Sequence, residues 1–248
     1  DIIKLVNNIK SACWSLIADG ESLIAATSTG VFLIKDGQPG LVCDGFSLTL
    51  YRSKRDTSIV YVGQTKGIKI LQEKNDQWAL ADINLKITDE ISEIREDEND
   101  NIWLGTSTMG LIKILPDYTV VPEYYNAKKG LPSEFGNHLN ELNNKLYVGT
   151  MNGLFAFSQS ADSFYQIKSF ANDTLIPKEW ISEIEEDMNG NFWSTRGDQK
   201  RIKYRNSKGI EEASVQSLLK PIQNTTISTI YIENNEKVCK FCNYKMIC

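Results

Sequence analysis

Two acidic turns hold the residues best spaced for chemistry in this chain. Asp97-x-Asn99-x-Asn101 and Asp187-x-Asn189-x-Asn191 match the opening of a calcium loop, in which alternate oxygen side chains converge on one hard cation. Such a loop also needs glycine at its sixth position and a bidentate glutamate at its twelfth. Ile102 and Thr108 stand there in one copy, Phe192 and Asp198 in the other. The turns therefore read as hairpins whose Asp and Asn side chains bond nearby backbone N–H groups, and no metal is expected. Cys239-x-x-Cys242 with Cys248 offers three thiolates, where a structural zinc site takes four ligands, usually as two pairs. His138, the single histidine, lies far from them in sequence. These cysteines read as small apolar residues on strands; a disulfide among them stays open for an extracytoplasmic chain. The Ser-x-Asp-x-Gly-x-x-Trp turn fails at Met188, ahead of Gly190 and Trp193. Neither a Gly-x-Ser-x-Gly elbow nor a Gly-Lys-Ser/Thr phosphate loop occurs. No catalytic residue and no cofactor is expected.

Composition bounds the elements that must position these residues. The chain has 248 residues, 41% hydrophobic, 24% charged and 10% aromatic, enough for one large domain or two ordinary ones. Its net charge of −5, from 27 Lys+Arg against 32 Asp+Glu, argues against a nucleic-acid partner. No apolar run is long enough to span a membrane.

The organising feature is a repeat. SLIAATSTGVFLI (22–34), IVYVGQTKGIKIL (59–71), NIWLGTSTMGLIKI (101–114), KLYVGTMNGLFAF (145–157) and NFWSTRGDQKRIKY (191–204) each join two apolar runs through a short turn. An anchor residue recurs at Ile24, Tyr61, Trp103, Tyr147 and Trp193, and a sixth copy places Cys239 there. The runs are short and rich in Ile, Val, Leu, Tyr and Thr, which predicts strands. A further strand precedes most anchors, as in CWSLIA (13–18), ISEIRED (91–97), LNEL (139–142) and ISEIEED (181–187), reversing at turn residues such as Asp19-Gly20. Fourth strands are expected at 119–125 and 163–170. Four antiparallel strands per unit make one blade, so the expected fold is all-β, a β-propeller of about six blades. It forms a single domain over 1–248, with blades near 10–45, 46–85, 86–130, 131–175, 176–220 and 221–248. Residues 1–6 supply the outer strand of the last blade and close the ring; the alternative is a fragment of a seven-bladed or longer propeller.

NIWLGTSTMGLIKI behind ISEIREDEND, and NFWSTRGD behind ISEIEEDMNG, resemble the two-component regulator propeller repeat. The likeness rests on Gly130-Leu131-Pro132-Ser133, Glu96-Asp97, Glu186-Asp187, Gly190-Asn191, Ile102-Trp103-Leu104-Gly105-Thr106 and Gly110-Leu111. It covers about 11 to 238 and is strongest over 86–200. The resemblance implies the extracytoplasmic, periplasmic sensor region of a bacterial hybrid two-component histidine kinase, with oligosaccharides as ligands and a homodimer or signalling partner. About six repeats stand where the family usually carries two seven-bladed rings. Ser194-Thr195-Arg196 also departs from the apolar-Gly-Thr step. The expectation is a sensing or docking part.

In a propeller the first strand of each blade lines the channel. Segments leading into it gather at one face with the loops between second and third strands. That placement selects Glu90, His138 and Trp180 ahead of first strands, and Asn152, Arg196 and Asp198 in the loops, as the ligand-binding mouth. A Trp ring suits the C–H face of a sugar while the polar groups fix hydroxyls. Each residue also has a plainer reading as a solvated loop position, and Trp180 as a plug between blades. Trp103, Tyr147 and Trp193 read as structural. The expected function is non-enzymatic ligand binding by a sensor domain. The alternatives are a protein–protein interaction scaffold and, ranked last, a glycan-processing enzyme.

Overall fold

The computed structural model describes residues 6, 8–121, 123–142, 144–170, 174–175, 180–186, 192–196, 201–206 and 209–214. They form antiparallel sheets of consecutive strands. The first sheet is β1 (Cys13–Asp19), β2 (Ser22–Thr27), β3 (Gly30–Lys35) and β4 (Gln38–Asp44), the second β5 (Ser47–Arg52), β6 (Ile59–Gln64), β7 (Gly67–Lys74) and β8 (Gln77–Leu80). The third holds β9 (Ile91–Glu96), β10 (Ile102–Thr106) and β11 (Leu111–Ile114). The fourth is β12 (His138–Leu142), β13 (Lys145–Thr150), β14 (Gly153–Ser158) and β15 (Ser163–Gln166). A small pair, β16 (Ser169–Phe170) and β17 (Thr174–Leu175), precedes the fifth sheet of β18 (Ile184–Glu186), β19 (Phe192–Arg196), β20 (Arg201–Asn206) and β21 (Gly209–Ser214). The chain divides into two compact units, the first running to Tyr124 and the second starting at Tyr125.

Within the first unit the sheets stack face to face, and β6 shows how the sequence arranges this. Strand side chains alternate between faces, yet every residue of β6 is buried. Val60 and Val62 enter a core shared with Ile24, Ala26 and Val31 of the first sheet. Ile59 and Tyr61 enter another shared with Ile91, Ile94, Ile102 and Leu104 of the third. An unbroken apolar run is therefore the mark of a strand buried on both faces. In the second unit Leu142, Leu154, Ile181 and Ile184 form the equivalent core between the fourth and fifth sheets.

In the first unit the first strands of the first two sheets, β1 and β5, run side by side in the same direction. Near their starts the Leu50 N–H donates to Ser15 Oγ at 3.2 Å, and at their ends Arg52 donates to Asp19 at 2.7 Å. Close passage demands glycine at the end of the second strand. A Cβ on Gly63 would stand 2.5 Å from the Ile91 carbonyl oxygen, and one on Gly149 would stand 2.5 Å from that of Ile181.

Two strand expectations need correction. The predicted fourth strand at 119–125 is a single bridge, Val120 to Ile114, so the third sheet has three strands among the described residues. A tight turn leads into it: Leu115 N–H donates to the Thr119 carbonyl, Tyr118 N–H donates back to the Leu115 carbonyl, Tyr118 adopts φ 66°, and Val121 N–H reaches the Lys113 carbonyl. The predicted strand at 181–187 starts only at Ile184. Residues 1–5, the Asp187–Asn191 turn and everything after Ser214 lie outside the described residues. So do the proposed ring closure, the sixth blade and Cys239, Cys242 and Cys248.

Candidate ligand-binding rim

Antiparallel order brings the start of a first strand, the end of a second and the start of a third to the same end of each sheet. The loop joining β2 to β3, β10 to β11 and β13 to β14 is closed there by a threonine. Thr27, Thr106 and Thr150 donate from Oγ1 to the carbonyls of Gly30, Gly110 and Gly153 at 2.7–2.9 Å. Each Oγ1 also accepts a loop N–H, from Thr29, Met109 and Asn152 respectively. The recurrent Thr-to-Gly spacing in the repeat is thus a local clasp. It leaves the side chains between them pointing outward.

In the first unit this rim carries Glu90, which is exposed and accepts the Ser107 hydroxyl at 2.5 Å. Neighbouring Asp89 accepts the Tyr124 hydroxyl at 3.0 and 3.2 Å. Burial, followed by the bond to Asp89, raises the Tyr124 phenol above its usual range. Gln64 has no outward role: it is 5% exposed and donates to the Asp44 carbonyl and Ser47 hydroxyl.

The second unit brings three of the sequence-selected residues together. His138 opens β12 and pairs with Gly149 across the sheet. Its ring stacks on Trp180, with centroids 6.5 Å apart and planes at 27°. Ile181 N–H donates to the Thr150 carbonyl at 2.9 Å, which ties the Trp180 segment to the loop that presents Asn152. The Asn152 side chain is exposed, and the Asn152 backbone carbonyl accepts from Gln166 Nε2 at 2.6 Å. Arg196 ends β19 opposite Arg201, and Asp198 lies outside the described residues. Glu90 belongs to the first unit and the His138–Trp180 stack to the second.

Sequence reasoning missed Asn137 and Phe135 on this rim, and passed over Met151 of the β13–β14 loop as a contact. Asn137 is 8% exposed, whereas Phe135 and Met151 are 63% and 52% exposed. The signal for Asn137 and Phe135 is their position just ahead of a first strand.

The acidic turn resolves as scaffold. Asp97 is buried, and its carboxylate accepts from the Asn99 N–H, the Asn101 N–H, Asn101 Nδ2 and Trp103 Nε1, at 2.8–3.1 Å. Lys113 lies over the Trp103 ring at 5.4 Å. The neighbouring Glu96 accepts the Ser53 hydroxyl at 2.6 Å and the Lys54 N–H at 2.7 Å, joining the second sheet to the third. Among the described residues no group of His, Cys, Asp and Glu is placed to hold a metal, and no helix is long and apolar enough to cross a membrane.

No family model and no curated protein matches the sequence. Solved structures do. The extracellular domain assigned to the hybrid two-component system BT3049 from B. thetaiotaomicron aligns with TM-score 0.65 at 15% identity, over 94% of this chain and 32% of that one. That of the system BT4673 from the same organism aligns with TM-score 0.61 at 17% identity, over 87% and 29%. Virginiamycin B lyase from Staphylococcus aureus aligns with TM-score 0.57 at 14% identity, over 84% and 71%. The chain thus spans about a third of the length of the two extracellular domains. At these identities the likeness shows the fold, and that fold is an all-β propeller built from antiparallel blades.

Proposed function

We infer that this chain is a non-enzymatic, ligand-binding sensor domain of a bacterial two-component system. It works in the periplasm or otherwise outside the cytoplasm and takes an oligosaccharide on its rim. Glu90, His138, Asn152, Trp180, Arg196 and Asp198 are the proposed contact residues, on one propeller domain over 1–248. The carrying observation is a division among polar side chains. Asp19, Glu96 and Asp97 are taken up by hydrogen bonds that hold sheets and turns together. Glu90, Asn152 and the His138–Trp180 stack stand at the end of the sheets where loops face outward. A ring, a carboxylate and an amide are the chemistry by which a saccharide is held through stacking and hydroxyl hydrogen bonds. The fold likeness to extracellular domains of two-component systems supports the location and the role.

The test is thermal melting of the full chain across a panel of oligosaccharides. A ligand that binds only the folded state raises the melting temperature, and the rise grows with the logarithm of its concentration above Kd. Trp180→Ala and Glu90→Ala should abolish the shift while leaving the unliganded protein folded. A panel without any shift overturns the saccharide reading. Retention of a partner protein under those conditions would favour a scaffold.

A further inference from the structure

The first unit displays an aromatic pair that its core does not use. Trp14 and Phe46 are its two exposed aromatic rings among the described residues, at 41% and 37% exposure. They touch, with ring centroids 5.9 Å apart and planes at 38°. Both stand at the end of the sheets where first strands begin, Trp14 as the second residue of β1 and Phe46 just ahead of β5. Rings of this size are normally turned inward.

Local structure holds the pair in place. A bulge between Cys13 and Ser15 takes Trp14 out of the regular pairing of β1 with β2. The next residue, Ser15, ties β1 to β5 through the Leu50 N–H. Phe46 is carried by a connection clamped from inside. Buried Gln64 donates to the Asp44 carbonyl and the Ser47 hydroxyl, and Ser47 donates to the Gly45 carbonyl. The Thr65 N–H donates to the Phe46 carbonyl at 3.0 Å. Gly45 takes φ 98°, and a Cβ there would stand 2.8 Å from Gln64 Nε2. Two buried polar side chains and a left-handed glycine thus fix an exposed ring. A contact group fixed before the ligand arrives lowers the entropy cost of binding.

Charge narrows the occupant. Thr65 bonds Phe46, and the Gly67 N–H donates to the Asp89 carbonyl at 2.8 Å, so exposed Lys66 stands on the loop that bridges Phe46 to the Asp89–Glu90 segment. Asp89 is taken by Tyr124 and Glu90 by Ser107. Asp44 ends the outermost strand of the first sheet, whereas Trp14 lies on its innermost. Among the described residues Lys66 has no ion-pair partner. The matching occupant offers an apolar ring face to the pair and an anion to Lys66.

We propose that Trp14, Phe46 and Lys66 form a subsite for a uronic acid unit of an oligosaccharide. The C–H face of the pyranose packs on the ring pair, and the carboxylate borne on C5 pairs with the Lys66 ammonium. An aliphatic protein segment would cover the rings and leave Lys66 without an anion. This rests on the saccharide reading above and names an acidic sugar and three further contact residues for it.

The experiment is calorimetric titration of the full chain with two uronate trimers, of β-1,4 mannuronate and α-1,4 galacturonate. Each is set against the neutral trimer of the same linkage, mannose or galactose, which lacks only the carboxylate. At low salt at least one uronate trimer should bind about fivefold more tightly than its neutral counterpart, the upper range of an exposed ion pair, and the preference should shrink as salt rises. Lys66→Met should bring the two trimers of that pair within about twofold of each other and leave the neutral one unchanged. Trp14→Ala and Phe46→Ala should each weaken both by about tenfold. Melting curves report whether each variant is folded, and the wild-type preference is an arm that needs no variant. If acidic and neutral trimers bind alike in both pairs, or Lys66→Met weakens both alike, or folded Trp14→Ala binds as the wild type does, the inference fails while the saccharide reading stands. If no saccharide binds at all, both fail.

Discussion

The turns that close the first hairpin of the second and third sheets occupy the same place in successive repeats, and they treat their aspartates in opposite ways. In the β5–β6 turn Asp56 lies in the open and accepts the N–H and the hydroxyl of Ser58, two residues on, at 3.0 and 2.6 Å. In the β9–β10 turn Asp97 is 8% exposed and gathers four donors, among them the indole of the anchor Trp103. The anchors differ to match. Trp103 carries an N–H that must be satisfied inside the protein, and Asp97 satisfies it. Tyr61 has no such N–H, and burial, followed by the neighbouring Tyr118 phenol, pushes its own phenol far above the usual range. The same strand geometry therefore uses its acidic turn as a buried clamp in one blade and as a surface turn in the next. An acidic turn residue is structural here in proportion to what the anchor beside it demands.

The largest expected effect is on the clamp. Asp97→Ala removes the acceptor of four hydrogen bonds around a fully buried indole and should cost about 3–4 kcal/mol. Asp56→Ala should cost at most about 0.5 kcal/mol, as a surface turn substitution. Urea midpoints of the two variants measure the difference. Equal midpoints would break the comparison.

Next comes the link between the two turns. Glu96 is 5% exposed and reaches from the third sheet to the Ser53 hydroxyl and Lys54 N–H of the second sheet's turn. Glu96→Ala should cost about 2–3 kcal/mol. Glu96→Gln should recover part of that, because the amide oxygen still accepts one of the two donors. A Gln variant as unstable as the Ala variant would mean that side-chain packing, not hydrogen bonding, joins these sheets. A smaller effect is expected for Trp103→Phe, which keeps the buried ring and deletes the bond to Asp97. About 1–2 kcal/mol fits one charge-assisted hydrogen bond.

Much of this scaffold was legible in the sequence for a physical reason. Short apolar runs buried on both faces, and turns that need particular residues, leave a local signature. The anchors Ile24, Tyr61 and Trp103, the strand ends and the Thr-to-Gly loops all follow from side chains within a few residues of one another. What stayed hidden depends on partners distant in the chain. Gly63 reads as an ordinary strand glycine until the Ile91 carbonyl is seen to pass where its Cβ would be. Gln64 reads as a loop residue until Asp44 and Ser47 turn it inward. Among the described residues, the fourth strand expected in the third sheet shortens to the pairing of Thr119, Val120 and Val121 with β11 across the Tyr118 turn, although β-propensity there argues for a longer strand. On the rim, Glu90, His138, Asn152 and Trp180 could be placed by topology alone. The unmatched atoms of Asn137 and Trp180 could not, since matching is a property of the folded neighbourhood.

The smallest effect tests the surface turn itself. The two bonds from Ser58 lower the Asp56 carboxyl below its ordinary value of 3.8. A carboxyl whose folded pKa is depressed contributes stability that is fully present above its unfolded value and is lost as pH falls through the folded one. Asp56→Asn should therefore leave the melting temperature unchanged at neutral pH, within the small span typical of surface sites, and flatten its decline slightly below pH 3.8. Melting curves of wild type and variant across the acid range decide this. A variant already less stable at neutral pH would show that Asp56, like Asp97, holds more than its own turn, and the contrast between the two blades would then be one of degree.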